Sequence, residues 1–217
     1  MSFAKSLMDR LIQAGLTGGI ASGKTTAASV LARLGARIVD TDELARRALD
    51  PATPAFEAAV RAFGRQILNA DGAVDRARLG DIVFADAHQR QRLNEIVHPV
   101  VRAAWQGELA ELKRAGWHGV VVVVIPLLYE VAVQDRFGTV IVVACTKATQ
   151  WARLQERGLN ATQADARIRA QMPMAAKMDQ ADFVVWNEGS QALLEQQIAR
   201  IWKQLETLAT AGGNISN

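Results

Sequence analysis

The chain predicts an α/β fold, a three-layer α/β/α arrangement around a parallel five-stranded sheet. Three observations lead there. Short runs rich in valine, isoleucine and leucine alternate with longer amphipathic stretches, the pattern of strands buried on both faces beneath helices. A glycine-rich turn, GGIASGKT from Gly18 to Thr25, joins the first apolar run to the first amphipathic one. Half of the 217 residues are apolar, enough for one globular unit with subdomains inserted between its strands.

The elements follow in order. Ile12 to Leu16 is the first strand, and the stretch from Gly23 to Leu34 is the first helix. Arg37 to Val39 is a short second strand. The long segment 43–118 that follows is mostly helical in pattern and exceeds what a crossover needs, so it predicts an inserted subdomain. Within it, Thr53 with Pro54 marks a helix start, Gly64 its stop, and Asp71-Gly72 a turn. Val101, Trp105, Leu109 and Leu112 recur at helical spacing after His98-Pro99, which predicts a helix ending near Gly116. Strands return at Val120 to Ile125, Val140 to Ala144 and Phe183 to Trp186. Between the last two, segment 151–180 carries Arg153, Arg157, Arg167 and Arg169 on two short helical stretches, with Thr162 and Asp165 as a capping box opening the second. From Ser190, Leu194, Ile198, Ile201, Leu205 and Leu208 alternate at spacings of four and three, the stripe of a helix that covers the sheet. Ala211 to Asn217 reads as a frayed tail. The core therefore comprises 12–42, 119–150 and 181–208.

Composition excludes several classes. Net charge is +3 with the basic residues scattered, which argues against a nucleic-acid partner. Cys145 is the only cysteine, so no internal disulfide forms and a reducing compartment is expected. Met1 to Arg10 holds no apolar stretch of signal-peptide length, and the longest apolar run, Val120 to Leu128, falls far short of the roughly 20 residues a membrane span needs. The expectation is a cytoplasmic protein without membrane contact.

The turn carries the chemistry. Its form, G-x-x-x-x-G-K-[ST], lets consecutive backbone amides surround a polyphosphate, with Lys24 as a compact cation and the Thr25 hydroxyl on Mg²⁺. A strand before and a helix after supply the context of a P-loop NTPase, the helix aiming its positive end at the same anion. Gly18, Gly19, Ala21, Ser22, Gly23, Lys24, Thr25 and Thr26 are the expected nucleotide contacts. The arginine-rich segment, with no lysine between Gln150 and Met172, adds guanidinium forks suited to phosphate, from Arg153 and Arg157. Asp40 and Asp42, at the end of the second strand, stand where open α/β sheets place ligands. One carboxylate there orients an acceptor hydroxyl and takes its proton, and either holds Mg²⁺ through water. The same residues also suit a plain helix cap. Asp135 to Gly138 spells D-x-x-G, but no N-K-x-D follows, so a GTPase switch is disfavoured. A kinase of some other small hydroxyl compound and a nucleotide-dependent switch stay open on these residues alone.

Taken together, GLTGGIASGKT, VDTDELAR, FGRQILNADGAVDRARL, VFAD, IVHP, IPLLYE, RIRAQM and ADFVVWNEG resemble, in this order, the dephospho-CoA kinases, over about Gly15 to Leu205. The resemblance implies transfer of the γ-phosphoryl group of ATP to the ribose 3′-hydroxyl of dephospho-CoA, the last step of coenzyme A synthesis, with Mg²⁺. It also implies a nucleotide core, a helical acceptor-binding insertion at 43–118 and a helical lid at 151–180. By position it makes Asp42 the general base, Lys24 and Arg157 its catalytic companions, and Arg153 and Asn187 nucleotide contacts. Thr17, Asp42, Arg46, His98, Leu127, Leu128, Tyr129 and Glu130 become acceptor-side residues, and Thr25 and Asp40 metal ligands. Two departures stand out. Val124 replaces an aspartate common in the family, and Gly158 follows Arg157 where Asp or Asn is usual, which predicts an altered lid geometry.

Overall fold

The computed structural model describes residues 11–210. The N-terminal Met1 to Arg10 and the tail Ala211 to Asn217 lie outside them. The chain divides into two compact units, one holding the residues up to 39 and those from 112 onward, the other residues 40–111.

The first unit is built on a parallel sheet. β1 (Leu11–Gly18) is central, pairing with β3 (Gly119–Val124) from Leu11↔Gly119 to Leu16↔Val124, and with β4 (Thr139–Ala144) from Ala14↔Thr139 to Gly18↔Val143. β5 (Phe183–Trp186) extends the sheet beyond β4, and β2 (Arg37–Asp40) extends it beyond β3, giving the order β2-β3-β1-β4-β5. All six residues of β4 are buried, and five of six in β3, which explains why both read as unbroken valine-rich runs rather than alternating ones.

One face of the sheet is covered by α1 (Lys24–Leu34) and α9 (Gln191–Thr210), whose Ala27, Leu31, Leu194, Ile198, Ile201 and Leu205 pack on Ala14, Leu16, Val120, Val122, Ile141 and Val143. Each fully buried leucine or isoleucine there contributes about 1.5–3 kcal/mol relative to exposure. The stripe on α9 ends at Ala209, while Leu208, expected in it, is exposed; at 3.6 residues per turn a long 4-3 repeat drifts off the buried face. Gly15 shows what covers the opposite face, since a Cβ there would lie 2.7 Å from Leu128 Cδ1 and 3.1 Å from the Phe137 ring. Edge strand β5 is closed by a side chain. Gln197 Oε1 accepts from Trp186 N–H at 2.9 Å and its Nε2 donates to Trp186 C=O at 3.0 Å, so one amide stands in for a neighbouring strand.

Three helices occupy the sheet's other connection. α6 (Lys147–Glu156), α7 (Ala161–Arg169) and α8 (Met174–Asp179) run between β4 and β5. The box opening α7 is Asn160 with Gln163, two residues before the expected Thr162 and Asp165. Asparagine caps as well as threonine does, and Asp165 is instead engaged by Trp151 and Lys147.

The 40–111 unit has its own small core, in which Ala59, Phe63, Ile67, Val74 and Leu79 meet Leu49, Phe56, Leu93 and Ile96. α2 (Thr41–Ala48) is capped by Asp40, α3 (Pro54–Phe63) by Thr53 and α4 (Arg76–Ala85) by Asp75, and α3 stops at Gly64 as its sequence predicts. α5 runs from Ala87 to Arg114 with Pro99 inside it, a correction to the helix expected only after His98-Pro99. Asp86 caps its true start, accepting from His88 N–H at 2.7 Å. A proline inside a helix removes one hydrogen bond without always ending it. Among the described residues no helix is long and apolar enough to cross a membrane.

Candidate active site

The loop after β1 is shaped by backbone conformations that side chains resist. Gly18 has φ +151°, Gly23 φ +102°, and Ala21 sits at φ +58°, a left-handed position costly for a residue with a Cβ. Along it, five consecutive carbonyls accept side-chain hydrogen bonds, two of them from the loop's own Lys24. Lys24 Nζ donates to Gly18 C=O at 3.1 Å and to Gly19 C=O at 2.7 Å, and Gln150 Nε2 to Ile20 C=O at 2.7 Å. Arg153 donates to Ala21 C=O at 3.1 Å, and Asn187 Nδ2 to Ser22 C=O at 2.8 Å. A planar trans peptide sets its N–H opposite its C=O, so the hold on the Gly18, Ile20 and Ser22 carbonyls fixes the facing of the Gly19, Ala21 and Gly23 amides, while Ile20 N–H is taken by Gln171 Oε1 at 2.7 Å and Ser22 N–H by Gly19 C=O at 3.2 Å.

α1 begins there with Gly23 at its N-cap, no side-chain cap and no acidic residue in its first turn. Orphan amides and a positive dipole end are thus left for an anion. The Ser22 hydroxyl is buried without a hydrogen-bond partner among the described residues. These features fit a polyphosphate. Thr25 and Thr26 stand in the first turn of α1 and are exposed. Among the described residues no three His, Cys, Asp or Glu side chains gather as a metal site. Asp40 caps α2 through Oδ1, which accepts from Asp42 N–H at 2.9 Å and Glu43 N–H at 3.4 Å.

A cavity of about 410 Å³ adjoins the loop, lined among others by Ala21, Gly23, Thr26, Arg153, Arg157 and Asn187, within the range of small-molecule pockets. Arg153 and Asn187 serve the loop directly. Besides their bonds to Ala21 and Ser22, Arg153 donates to Asn187 C=O at 3.3 Å, and Asn187 N–H to Ala144 C=O at 2.7 Å. Glu188, next in the chain, accepts from the Thr146 N–H and from the Thr149 hydroxyl, tying the β5–α9 turn to the start of α6. The Thr146 amide, followed by the Thr149 hydroxyl, holds the Glu188 carboxyl below the usual glutamate range.

Arg157 is exposed at the C-terminus of α6. Gly158 ends α6 in a left-handed turn. Gly158 has φ +84°, its N–H bonds to Gln155 C=O at 2.8 Å, and Leu159 N–H to Leu154 C=O at 3.1 Å. That is a Schellman ending, and Asp, Asn and Gly are the residues that best tolerate its left-handed position. Glycine therefore meets the same backbone demand as the family's usual residue.

Near the carboxyl end of β1, Thr17 is fully buried and its hydroxyl donates to Pro126 C=O, just after β3, at 3.2 Å. Leu128 is also fully buried, over Gly15. Tyr129 is buried, its hydroxyl unpartnered among the described residues and its pKa raised first by burial and then by the Asp182 charge. Leu127 is exposed. Glu130 Oε1 forms an ion pair of 2.8 Å with Lys177 and accepts from Met172 N–H at 2.9 Å. Asp42, Arg46 and His98 belong to the 40–111 unit. Asp42 lies in the first turn of α2, Arg46 pairs with Glu43 at 3.6 Å, and His98 lies mid-α5, its pKa lowered by partial desolvation and then by Arg102. The D-x-x-G stretch forms a 3-10 turn before β4, at the sheet end opposite the loop, as expected of an accidental match.

Three functional side chains escaped the sequence reading: Gln150, Gln171 and Lys177. Ile20 N–H donates to Gln171 Oε1 at 2.7 Å. Gln171 lies inside RIRAQM, and Lys177 is a lone cation between Ala176 and Met178, a signal that apolar neighbours carry.

This sheet order, with a glycine-rich loop gripped at the carboxyl end of its central strand, defines a P-loop nucleotide-binding protein. The sequence model of the family described as dephospho-CoA kinase matches residues 12–193. A dephospho-CoA kinase of Geobacter metallireducens is 46% identical over 88% of this chain and 94% of its own, and one of Anaeromyxobacter dehalogenans 45% identical over 88% and 90%. A solved structure from Thermus thermophilus has 32% identity and a TM-score of 0.75 over 90% of this chain and 98% of that one. A dephospho-CoA kinase from Campylobacter jejuni has 27% identity and a TM-score of 0.62 over 89% and 96%. The chain belongs to the dephospho-CoA kinase family.

Proposed function

We propose that the protein transfers the γ-phosphoryl group of ATP to the ribose 3′-hydroxyl of dephospho-CoA, giving coenzyme A and ADP. The observation that carries the nucleotide half is the row of five loop carbonyls held by side chains, with the uncapped α1 behind it. Family membership carries the acceptor half.

The loop amides bind the β- and γ-phosphates, and Lys24 leaves its two loop carbonyls to meet the oxygens that gain charge. The Thr25 hydroxyl would help hold Mg²⁺, which would supply further charge neutralisation. The cavity beside Arg153 and Arg157 takes the nucleoside, and Arg157 reaches the transferring group. Asp42 orients the acceptor hydroxyl. The bond from the γ-phosphorus to the ADP oxygen breaks as the bond to the 3′-oxygen forms, and the hydroxyl proton passes to the Asp42 carboxylate. Helices 151–180 act as the lid that keeps water out.

A coupled ADP-release assay tests this. ADP release that depends on dephospho-CoA is expected; release at the same rate without it refutes the proposal.

A further inference from the structure

Lys177 is the only charged residue among the described residues that is fully buried. Its Nζ pairs with Glu130 Oε1 at 2.8 Å and lies 3.5 Å from Pro126 C=O, the carbonyl that already accepts from Thr17. Replacing such a pair with apolar residues is often neutral or stabilising, so stability alone gives weak reason to keep it.

Its neighbours along the chain give a better one. Gln171 Oε1 accepts from Ile20 N–H at 2.7 Å, and a Cβ on Gly19 would lie 2.5 Å from Met174 Cε. Met172 N–H donates to the same Glu130 oxygen that Lys177 holds. The strap 171–177 thus grips both loops, the phosphate loop through Gln171 and Met174 and the loop Pro126 to Glu130 through Met172 and Lys177. Few backbone groups separate the two grips, so neither loop shifts without straining the other.

Resting on the acceptor assignment above, we propose that Lys177 is a positioning residue: through Glu130 and this strap it couples the phosphate loop to the acceptor-side loop, so nucleotide and dephospho-CoA bind cooperatively. Lys177 touches neither substrate in this role. Because coupling between two ligands is reciprocal, either affinity reports it.

The test measures the Kd of a non-hydrolysable ATP analogue without and with saturating dephospho-CoA, on the full chain and on the double variant Lys177→Met, Glu130→Gln. That variant leaves no unpaired buried charge and keeps an acceptor for Met172 N–H. The full chain is expected to bind the analogue about five-fold or more tightly with dephospho-CoA present. The variant, at an unchanged melting temperature, is expected to bind the analogue alone as before, to show a ratio near one, and to have a raised KM for dephospho-CoA. A ratio of one in the unsubstituted chain overturns the proposal, and so does an intact ratio in the variant. The unsubstituted arm stands even where the variant fails to fold. A chain that turns over dephospho-CoA yet shows no coupling sinks this inference alone, whereas absence of turnover sinks the acceptor assignment with it.

Discussion

Asn187 holds the phosphate loop through one buried bond, its Nδ2 donating to the Ser22 carbonyl at 2.8 Å, directly beside Gly23. A Cβ on Gly23 would overlap that same amide, and its φ of +102° already disfavours any other residue.

Asn187→Leu should therefore weaken ATP binding and lower stability by about 1–3 kcal/mol, the cost of leaving a buried carbonyl unpaired. Titration calorimetry and thermal melts read both. An unchanged ATP affinity would mean the loop keeps its shape without this brace.

Arg153 and Arg157 should separate. Arg153→Ala strips the Ala21 and Asn187 carbonyls of a donor, so melting temperature and ATP affinity fall together. Arg157→Ala, at an exposed helix end, should cut kcat/KM with little change in melting temperature. A collapsed midpoint for Arg157→Ala would mark that arginine as structural.

Asp42→Asn should lower kcat by about 10²-fold or more while ATP binding persists, the scale of losing a general base. Near-normal turnover in steady-state assays would remove Asp42 from the mechanism.

The acid limb of stability should depend on Glu188. Its folded pKa is depressed by the Thr146 amide first and the Thr149 hydroxyl second. Its contribution is therefore present above the ordinary glutamate pKa of about 4.3 and fades as pH falls through the lower folded value. Denaturant melts of Glu188→Gln should show the largest deficit near neutrality and convergence with the unsubstituted chain in acid. A deficit that grows on acidification contradicts this.

The sheet was legible because its strands, buried on both faces, must be apolar without alternation, and Phe183 to Trp186 emerged with the bounds expected. Thr53, Gly64 and Gly116 announced helix ends through cap chemistry that acts within a few residues. Pro99 misled because a local rule about proline competes with a helix long enough to absorb one lost bond. In the site, the GxxxxGKT letters located the loop, but its braces did not announce themselves. Gln150, Gln171 and Lys177 act through contacts remote in sequence, |i−j| of 130 for Gln150 and Ile20, and no spacing rule encodes those. A guanidinium suits phosphate and carbonyl oxygens alike, so the sequence alone does not announce the bonds Arg153 makes to the Ala21 and Asn187 carbonyls.

The most direct test of the central claim is ³¹P NMR of the product formed from ATP and dephospho-CoA. A new monoester resonance on the ribose 3′-oxygen, appearing in step with ADP, is the predicted result. Phosphate released to water, or a phosphoryl group on any other oxygen, would contradict it.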